Sequence, residues 1–241
     1  MFRHLSRRVK KFWAAIALLS VEMALILAMF IVALLALAYL IRKVIVEQST
    51  GFDQQVFKFL QNYVSERNNK IMLFFTFLGT HTFLIPANLV LVAYSLFIKK
   101  HKWYSIKIPA IALSSLGLMF GLKYLFARPR PDIPLIYNAK GLSFPSGHAL
   151  FSVTFYGLLV YIIFKTIEQR GLKWTLIVLL LILMLIIGFS RVYLRVHYTT
   201  DVMAGFCVGF IWLVFAVWLL NRIEKYSRKQ IDPAVQQPAI T

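Results

Sequence analysis

Six apolar stretches, each about as long as a membrane-spanning helix, limit most strongly how this chain of 241 residues can fold. About 20 apolar residues are needed to cross the ~30 Å of hydrocarbon in a bilayer. Hydrocarbon offers no water to the backbone amides, so a single segment that crosses it must be helical. The stretches lie at about residues 20–41, 71–97, 108–127, 148–164, 174–190 and 202–220. We therefore predict an all-α fold, an integral membrane bundle of six transmembrane helices.

The composition agrees with a membrane protein. Hydrophobic residues make up 60% of the chain and charged residues 15%, whereas soluble domains have roughly 45–50% apolar and about 25% charged residues. We predict one membrane domain over residues 1–231. The polar residues 232–241, which include two prolines, predict a disordered cytoplasmic tail.

The distribution of lysine and arginine predicts the orientation of the bundle. A net charge of +18 can indicate a nucleic-acid partner. With six spans and the N-terminus inside, however, the inner segments contain 16 of the 27 Lys and Arg residues. The outer segments contain 11, and 5 of these belong to three polar motifs described below, which leaves 6. This positive-inside bias predicts cytoplasmic N- and C-termini and argues against nucleic acid.

The segment 47–70, between the first two spans, has apolar residues at helical spacing. They are Phe52, Val56, Phe57, Leu60 and Val64. The pattern predicts a short amphipathic helix on the outer surface. Both an interfacial anchor and a lid over a site fit it.

Three polar motifs interrupt the apolar chain. The first runs from Lys123 to Pro131, the second from Pro145 to His148, and the third from Ser190 to Asp201. Charge beside or within a membrane span is costly, and it therefore suggests a functional site. The predicted topology brings all three motifs to the outer membrane face.

The third motif contains a His–Asp pair. His197 and Asp201 are four residues apart, a spacing that brings side chains together on one helix face. A carboxylate that holds one imidazole nitrogen leaves the other as a lone-pair donor, as a nucleophilic histidine requires. A pair that merely satisfies the start of a helix fits the same residues.

The second motif is expected to open a helix, where free amide groups and the helix dipole attract anions. Ser146 can cap the helix or bind a phosphate oxygen, and Gly147 lets the backbone approach that oxygen. His148 is placed to protonate a departing group. An ordinary helix cap with His148 as a bystander is the alternative.

Cationic side chains complete the motifs. Lys123 near the end of a span, together with Arg130 and Arg191, can bind phosphate oxygens. Lysine and arginine at span ends also contact lipid headgroups, and for Arg128 and Arg195 that reading is equally good.

Together, in this order and spacing, the motifs resemble the signature of the type 2 phosphatidic acid phosphatase superfamily. That signature reads K-x6-R-P, then P-S-G-H, then S-R-x5-H-x3-D, and every motif position matches. The six-residue gap selects Arg130 rather than Arg128. The resemblance is to bacterial membrane lipid phosphatases of the phosphatidylglycerophosphatase B and undecaprenyl-diphosphate phosphatase type.

The resemblance implies a metal-independent hydrolase that cleaves phosphoric ester or diphosphate bonds through a phosphohistidine. By this analogy His197 attacks phosphorus, Asp201 orients it, and His148 protonates the leaving group and then activates water. The remaining site residues hold the phosphate oxygens: Lys123, Arg130, Ser146, Gly147 and Arg191. We expect no metal site and no cofactor.

The expected substrate is a lipid phosphate in the bilayer, such as undecaprenyl diphosphate, phosphatidylglycerol phosphate or phosphatidic acid. The expected location is a bacterial plasma membrane, with a multi-pass chain, an extracytoplasmic active site and no obligate protein partner. The alternative is a transporter or binding scaffold for anions or lipid phosphates, which would need the cations but neither histidine. Soluble vanadium haloperoxidases share the motif set, but six spans in so short a chain argue against them.

Overall fold

The computed structural model describes residues 21–98, 102–135 and 141–236, with side chains up to residue 228. Within those ranges all regular structure is helical. The helices are α1 (Val21–Ile41), α2 (Gly51–Gln61), α3 (Glu66–Phe77), α4 (His81–Ala93), α5 (Lys102–Phe126), α6 (Gly147–Thr166), α7 (Arg170–Tyr193) and α8 (Thr199–Gln236). Single π-helical turns extend α1 through Val46 and α4 through Ile98.

Six helices of the described ranges are long and apolar enough to cross a membrane. They are Val21–Val46, His81–Ile98, Lys102–Phe126, Gly147–Thr166, Arg170–Tyr193 and Thr199–Arg228. The predicted all-α class with six spans is thereby confirmed. Residues 237–241 of the predicted tail lie outside the described residues, whereas the backbone of 232–236 continues α8. The domain limit at residue 231 stays a prediction.

The second predicted span, 71–97, is not one helix. A turn over residues 78–80 separates α3 from α4. At Gly79 a Cβ atom would lie 2.7 Å from Ile187 Cγ2 and 3.1 Å from His148 Cδ2. The chain thus approaches α6 and α7 too closely for a side chain, and it turns there. Hydropathy did not reveal this break, because apolar residues lie on both sides of it.

Helix α6 lies at the centre of the bundle. It packs against α5, α7 and α8, and α8 is its most extensive neighbour. Leu158 of α6 joins Ile111 of α5 and Leu213 of α8 in one buried cluster. Phe155 and Tyr156 join α4 and α7 through Leu84 and Ile187 in another. Because α6 begins with the second motif, this packing fixes the position of that motif.

Glycines allow α6 and α8 to approach closely. A Cβ at Gly205 would lie 2.6 Å from the carbonyl oxygen of Ser146, and one at Gly209 would lie 2.9 Å from that of Leu150. Small residues four apart permit this kind of helix contact in membranes. Gly117 and Gly121 of α5 have the same spacing but nothing within 4 Å of an added Cβ. The spacing alone therefore did not indicate which pair forms a contact.

Helix α2 confirms the amphipathic helix predicted within 47–70, with one change of register. Phe52 is 53% exposed, whereas Asp53 is 1% exposed and faces the bundle. Val56 and Phe57 pack with Leu60 against residues of α6, α7 and α8. The buried side of α2 thus begins with a carboxylate instead of an aromatic ring.

We expect Gly205→Ala to lower the thermal midpoint of unfolding in detergent, because its methyl group would collide with the carbonyl oxygen of Ser146, directly before α6. Gly117→Ala is the matched control. It adds the same methyl group in open space and gains up to about 1 kcal/mol of helix propensity. Equal midpoints for the two variants would contradict the close contact between α6 and α8.

Candidate active site

The three motifs meet at one end of the bundle. Helix α5 ends at Phe126 just before the first motif's arginines, α6 begins at Gly147, α7 ends at Tyr193 and α8 begins at Thr199. Electrostatic interactions link Lys123 to Arg130 and Arg191, and link His148 to His197. Lys123 and Arg191, which are 68 positions apart in the chain, therefore belong to one cluster.

His197 and Asp201 contact each other and are almost fully buried. His197 Nδ1 lies 3.5 Å from Asp201 Oδ2, and the two residues are 1% and 0% exposed. His197 precedes α8, so the contact crosses the start of that helix instead of running along one helical face. The backbone N–H of Tyr198 donates to the same carboxylate oxygen at 2.9 Å.

Ser143 lies between the histidine and the aspartate. Its hydroxyl donates to Asp201 Oδ2 and lies 3.3 Å from His197 Nδ1. With Nδ1 directed at these two oxygens, a proton on Nδ1 leaves Nε2 as the lone-pair nitrogen. The sequence analysis did not identify Ser143, which lies two residues before the second motif.

The environment keeps His197 neutral. Burial lowers the pKa of His197 to about 4, and the nearby guanidinium groups of Arg130 and Arg191 act in the same direction. The carboxylate of Asp201 opposes this shift but does not outweigh the burial. A neutral imidazole near pH 7 retains the lone pair that a nucleophile needs.

The second motif presents polar atoms that the bundle does not use. Ser146 precedes α6, but its side chain makes no capping hydrogen bond, and its backbone N–H donates to the carbonyl oxygen of Asp201 at 3.0 Å. Ser146 Oγ and His148 Nε2 are buried without a hydrogen-bond partner among the described residues. Since buried polar atoms are normally paired, both are candidates for contact with a substrate. A Cβ at Gly147 would make only ordinary contacts, so the protein's own packing does not require glycine there.

The three predicted cations bond only to neutral acceptors in the part of the chain that the structure describes. Lys123 donates to the carbonyl of Leu142, and Arg130 donates to those of Gly141 and Val196 at 3.1 and 2.8 Å. Arg191 donates to Thr76 Oγ1 at 3.1 Å, and its Nε is buried without a partner. Arg191 is buried and Lys123 and Arg130 are partly buried, and such cations without a carboxylate partner favour an anionic ligand.

Arg128 is not a headgroup contact, although the sequence left that reading open. It is buried and donates to Asp201 Oδ1 at 2.6 Å and to Asp53 Oδ2 at 3.2 Å. The sequence contained one signal for Asp53: it precedes Val56, Phe57 and Leu60 at helical spacing, so a carboxylate occupies the apolar side of α2. Thr76, which binds Arg191, gave no comparable signal.

His81 lies at the first residue of α4 and is exposed. A continuous span over 71–97 would have placed His81 well inside the membrane. Because the chain turns before α4, His81 instead lies at the start of the spanning helix. Within the described residues, no group of three or more His, Cys, Asp and Glu is arranged to hold a metal ion.

Six apolar spans with a cluster of cations, two histidines and a buried aspartate at one end define a multi-pass membrane protein built to handle phosphate. The comparisons with known proteins agree. The family model of the PAP2 superfamily matches residues 103–225, just over half of the chain. The chain belongs to this superfamily, as its motifs predicted.

Two relatives resemble the chain over about two thirds of its length. Phosphatidylglycerophosphatase B of Bacillus subtilis is 26% identical over 162 residues, which cover 67% of this chain and 79% of the relative. Undecaprenyl-diphosphatase of Sulfolobus acidocaldarius is 29% identical over 175 residues, covering 70% and 78%. Both names describe phosphatases, and the chain is a hydrolase that acts on phosphoric ester bonds.

Two crystal structures share the fold. The PAP2-type phosphatidylglycerolphosphate phosphatase of B. subtilis superposes with a TM-score of 0.70 at 26% identity, covering 82% of this chain and 96% of that one. LpxE of Aquifex aeolicus gives a TM-score of 0.54 at 26% identity, covering 68% and 93%. Family and fold together support the hydrolysis of lipid phosphates in a membrane.

The burial of His197 leads to a prediction about its titration. In detergent-solubilised protein with ¹³C-labelled histidine, we expect the His197 ring signal to titrate near pH 4, below the ~6.5 of a free imidazole. Between those values the ring stays neutral, and only below pH 4 does protonation remove its lone pair. His197→Gln assigns the signal. A midpoint at or above pH 6.5 would contradict the buried environment described here.

Proposed function

We propose that this protein hydrolyses a lipid phosphomonoester or diphosphate through a phosphohistidine on His197, without a metal ion. The observation that carries the proposal is a cluster of three cations, Lys123, Arg130 and Arg191, that make no ion pair with a carboxylate among the described residues. Two of them, Arg130 and Arg191, act on the neutral, buried His197. Phosphate oxygens would supply the missing negative charge.

In the first step His197 Nε2 attacks phosphorus, and a P–N bond forms as the bond to the leaving oxygen breaks. Asp201 holds the Nδ1 proton and stabilises the positive charge that develops on the ring. His148, protonated while the phosphate anion is bound, donates a proton from Nε2 to the leaving oxygen and becomes neutral; this nitrogen has no partner in the described residues. The products of this step are the phosphoenzyme and either the lipid alcohol, from a phosphomonoester, or the lipid monophosphate, from a diphosphate.

In the second step His148 accepts a proton from water, which attacks phosphorus and breaks the P–N bond. Inorganic phosphate leaves, and both histidines return to their starting states. Lys123, Arg130 and Arg191 hold the equatorial oxygens in both steps, together with Ser146 Oγ and the amide of Gly147. Such fixed charges stabilise the transition state because they need no reorganisation.

Two lipids are the leading substrates. Relatives at 26% and 29% identity carry the names phosphatidylglycerophosphatase B and undecaprenyl-diphosphatase. Both lipids would present a terminal phosphate to the same cations. Apolar side chains would surround either lipid tail equally well, so they do not distinguish the two substrates. Undecaprenyl diphosphate suits a site at the extracytoplasmic face, the side on which that headgroup would be recycled.

The positive-inside bias supports a site facing the outside of a bacterial plasma membrane, with cytoplasmic termini. We expect Asp132→Cys, an exposed position between Arg130 and the second motif, to react with a membrane-impermeant maleimide in intact cells. The Cys207→Ala background removes the native cysteine. Labelling that requires prior permeabilisation would place the site on the cytoplasmic side.

The decisive experiment is phosphate release by the purified protein in detergent with EDTA, across four lipids. These are undecaprenyl diphosphate, phosphatidylglycerol phosphate, phosphatidic acid and lysophosphatidic acid. We expect release from at least one, a loss of at least ~10³-fold in kcat for His197→Ala, and no inhibition by EDTA, because side chains supply the positive charge. Acid-labile, base-stable ³²P on the wild-type protein would identify the phosphohistidine.

The outcomes separate the parts of the proposal. Turnover retained by folded His197→Ala would remove the nucleophile, and inhibition by EDTA that Mg²⁺ or Zn²⁺ reverses would remove the metal-independent mechanism. The ranking of kcat/KM among the four lipids would identify the preferred substrate. Release from none of them by folded protein would overturn the lipid assignment.

A further inference from the structure

Arg128 has a set of contacts that the phosphate-binding cations lack. Its Nη1 donates to Asp201 Oδ1 at 2.6 Å and to Thr200 Oγ1 at 2.9 Å, and its Nη2 donates to Asp53 Oδ2 at 3.2 Å. The guanidinium also lies over the ring of Tyr198, 4.0 Å from its centroid. Its donors face protein acceptors, so Arg128 is committed to the protein and not to the substrate.

Asp53 holds two parts of the site together. Besides Arg128, it accepts the backbone N–H of Thr200 at 2.9 Å and the Thr200 hydroxyl at 2.8 Å. Thr200 is in the first turn of α8, directly before Asp201, where free amides and the helix dipole favour an anion. Asp53 thus connects α2, which carries none of the three motifs, to the start of α8.

The two oxygens of Asp201 have different partners. Oδ1 accepts from Arg128, whereas Oδ2 accepts from Ser143 and the Tyr198 amide and faces His197. The bond to Arg128 therefore fixes the rotation of the carboxylate that turns Oδ2 toward the imidazole. Without it, Oδ1 would have no side-chain partner among the described residues.

The backbone also commits Arg128 to this position. Ala127 has a φ of 45°, in the left-handed region that residues other than glycine rarely adopt. This residue directly follows the end of α5 at Phe126 and directs the next residue, Arg128, back toward α8. Such conformations persist where surrounding contacts compensate for them, and the ion pairs of Arg128 are contacts of that kind.

We propose that Arg128 and Asp53 are positioning residues for the His197–Asp201 pair: Arg128 orients the Asp201 carboxylate, and Asp53 of α2 holds Arg128 and the first turn of α8. This inference rests on the proposed role of His197. It gives α2 a third role, distinct from an interfacial anchor or a lid. The helix supplies Asp53, which holds Arg128 in place to orient Asp201.

The proposal predicts a selective loss of kcat. In the described structure neither residue forms a hydrogen bond or ion pair with the phosphate-binding cations Lys123, Arg130 and Arg191, so binding of the phosphate group should be unchanged. We expect Arg128→Gln to lower kcat about 100-fold, the size of effect that a small misplacement of a reacting group produces. The inhibition constant of inorganic phosphate should stay within about 3-fold of wild type. This is a small change in binding free energy, since even a tenfold change corresponds to only about 1.4 kcal/mol.

Asp53→Asn is a gentler test of the same link. It keeps an oxygen for the Thr200 amide but loses the charge that faces Arg128, so we expect a fall in kcat of about 10-fold, as for other outer partners of a catalytic group. In the double variant with Arg128→Gln the losses should not add, because both act through Asp201.

The pH profile distinguishes positioning from a merely structural role. Arg128 offsets the charge of Asp201, so its removal should raise the pKa of His197 and move the acid limb of kcat/KM to higher pH. The other ionisable groups that interact with His197 are unchanged in this variant. They are Asp201, Arg130, Arg191 and His148.

Matched controls are available nearby. Arg195→Gln removes an arginine that lies over the Phe57 ring at 5.9 Å and makes no ion pair with Asp201 in the described structure. Asp132→Asn removes an exposed carboxylate. Both should retain wild-type kcat. If Arg128→Gln does not fold, Arg128→Lys keeps the charge but not the fork, and its kcat should fall between those of wild type and Asp201→Asn.

The results separate this inference from the proposed function. If His197→Ala is inactive but folded Arg128→Gln, Arg128→Lys and Asp53→Asn turn over like wild type, the inference fails and the proposed function stands. An equal loss of phosphate binding and kcat would also overturn it, because the whole site would then have moved. If His197→Ala keeps its activity, the proposed nucleophile is wrong, and the inference fails with it.

Discussion

The carboxylate and backbone of Asp201 are the point on which the active site depends. Arg128 of the first motif binds one of its oxygens, and Ser143, just before the second motif, binds the other. Its backbone carbonyl accepts the amide of Ser146, and its side chain faces His197. One fully buried residue therefore connects three segments of the chain, and a buried anion this well paired keeps each of them in a fixed orientation.

Around this anion the site divides its positive charge between two tasks. Arg128 is neutralised by Asp53 and Asp201, and it belongs to the support of the site. Lys123, Arg130 and Arg191 lack such partners in the described structure and are held by carbonyl and hydroxyl oxygens instead. Neutral acceptors orient these cations without cancelling their charge, so their field remains available for a phosphate group.

Close packing between helices makes this arrangement possible. Glycines at 205 and 209 bring α8 against α6, which places Asp201 beside Ser146. Gly79 lets the chain turn beside His148, and that turn ends α3 so that Thr76 reaches Arg191. These glycines lie within apolar stretches. Each one brings polar residues of the site together only because of the particular helix that packs against it.

The sequence by itself indicated the number of spans, the family and the eight candidate site residues, because hydrophobic length and motif spacing can be read directly along the chain. It also indicated α2, although Phe52 was assigned to the buried side in place of Asp53. Tertiary structure alone decided the break at Gly79, the choice of Gly205 over Gly117 for close packing, and the pairing of Arg128 with Asp53 across 75 residues. Each of these depends on which helices become neighbours, and a bilayer makes every apolar helix face equally acceptable until another helix covers it.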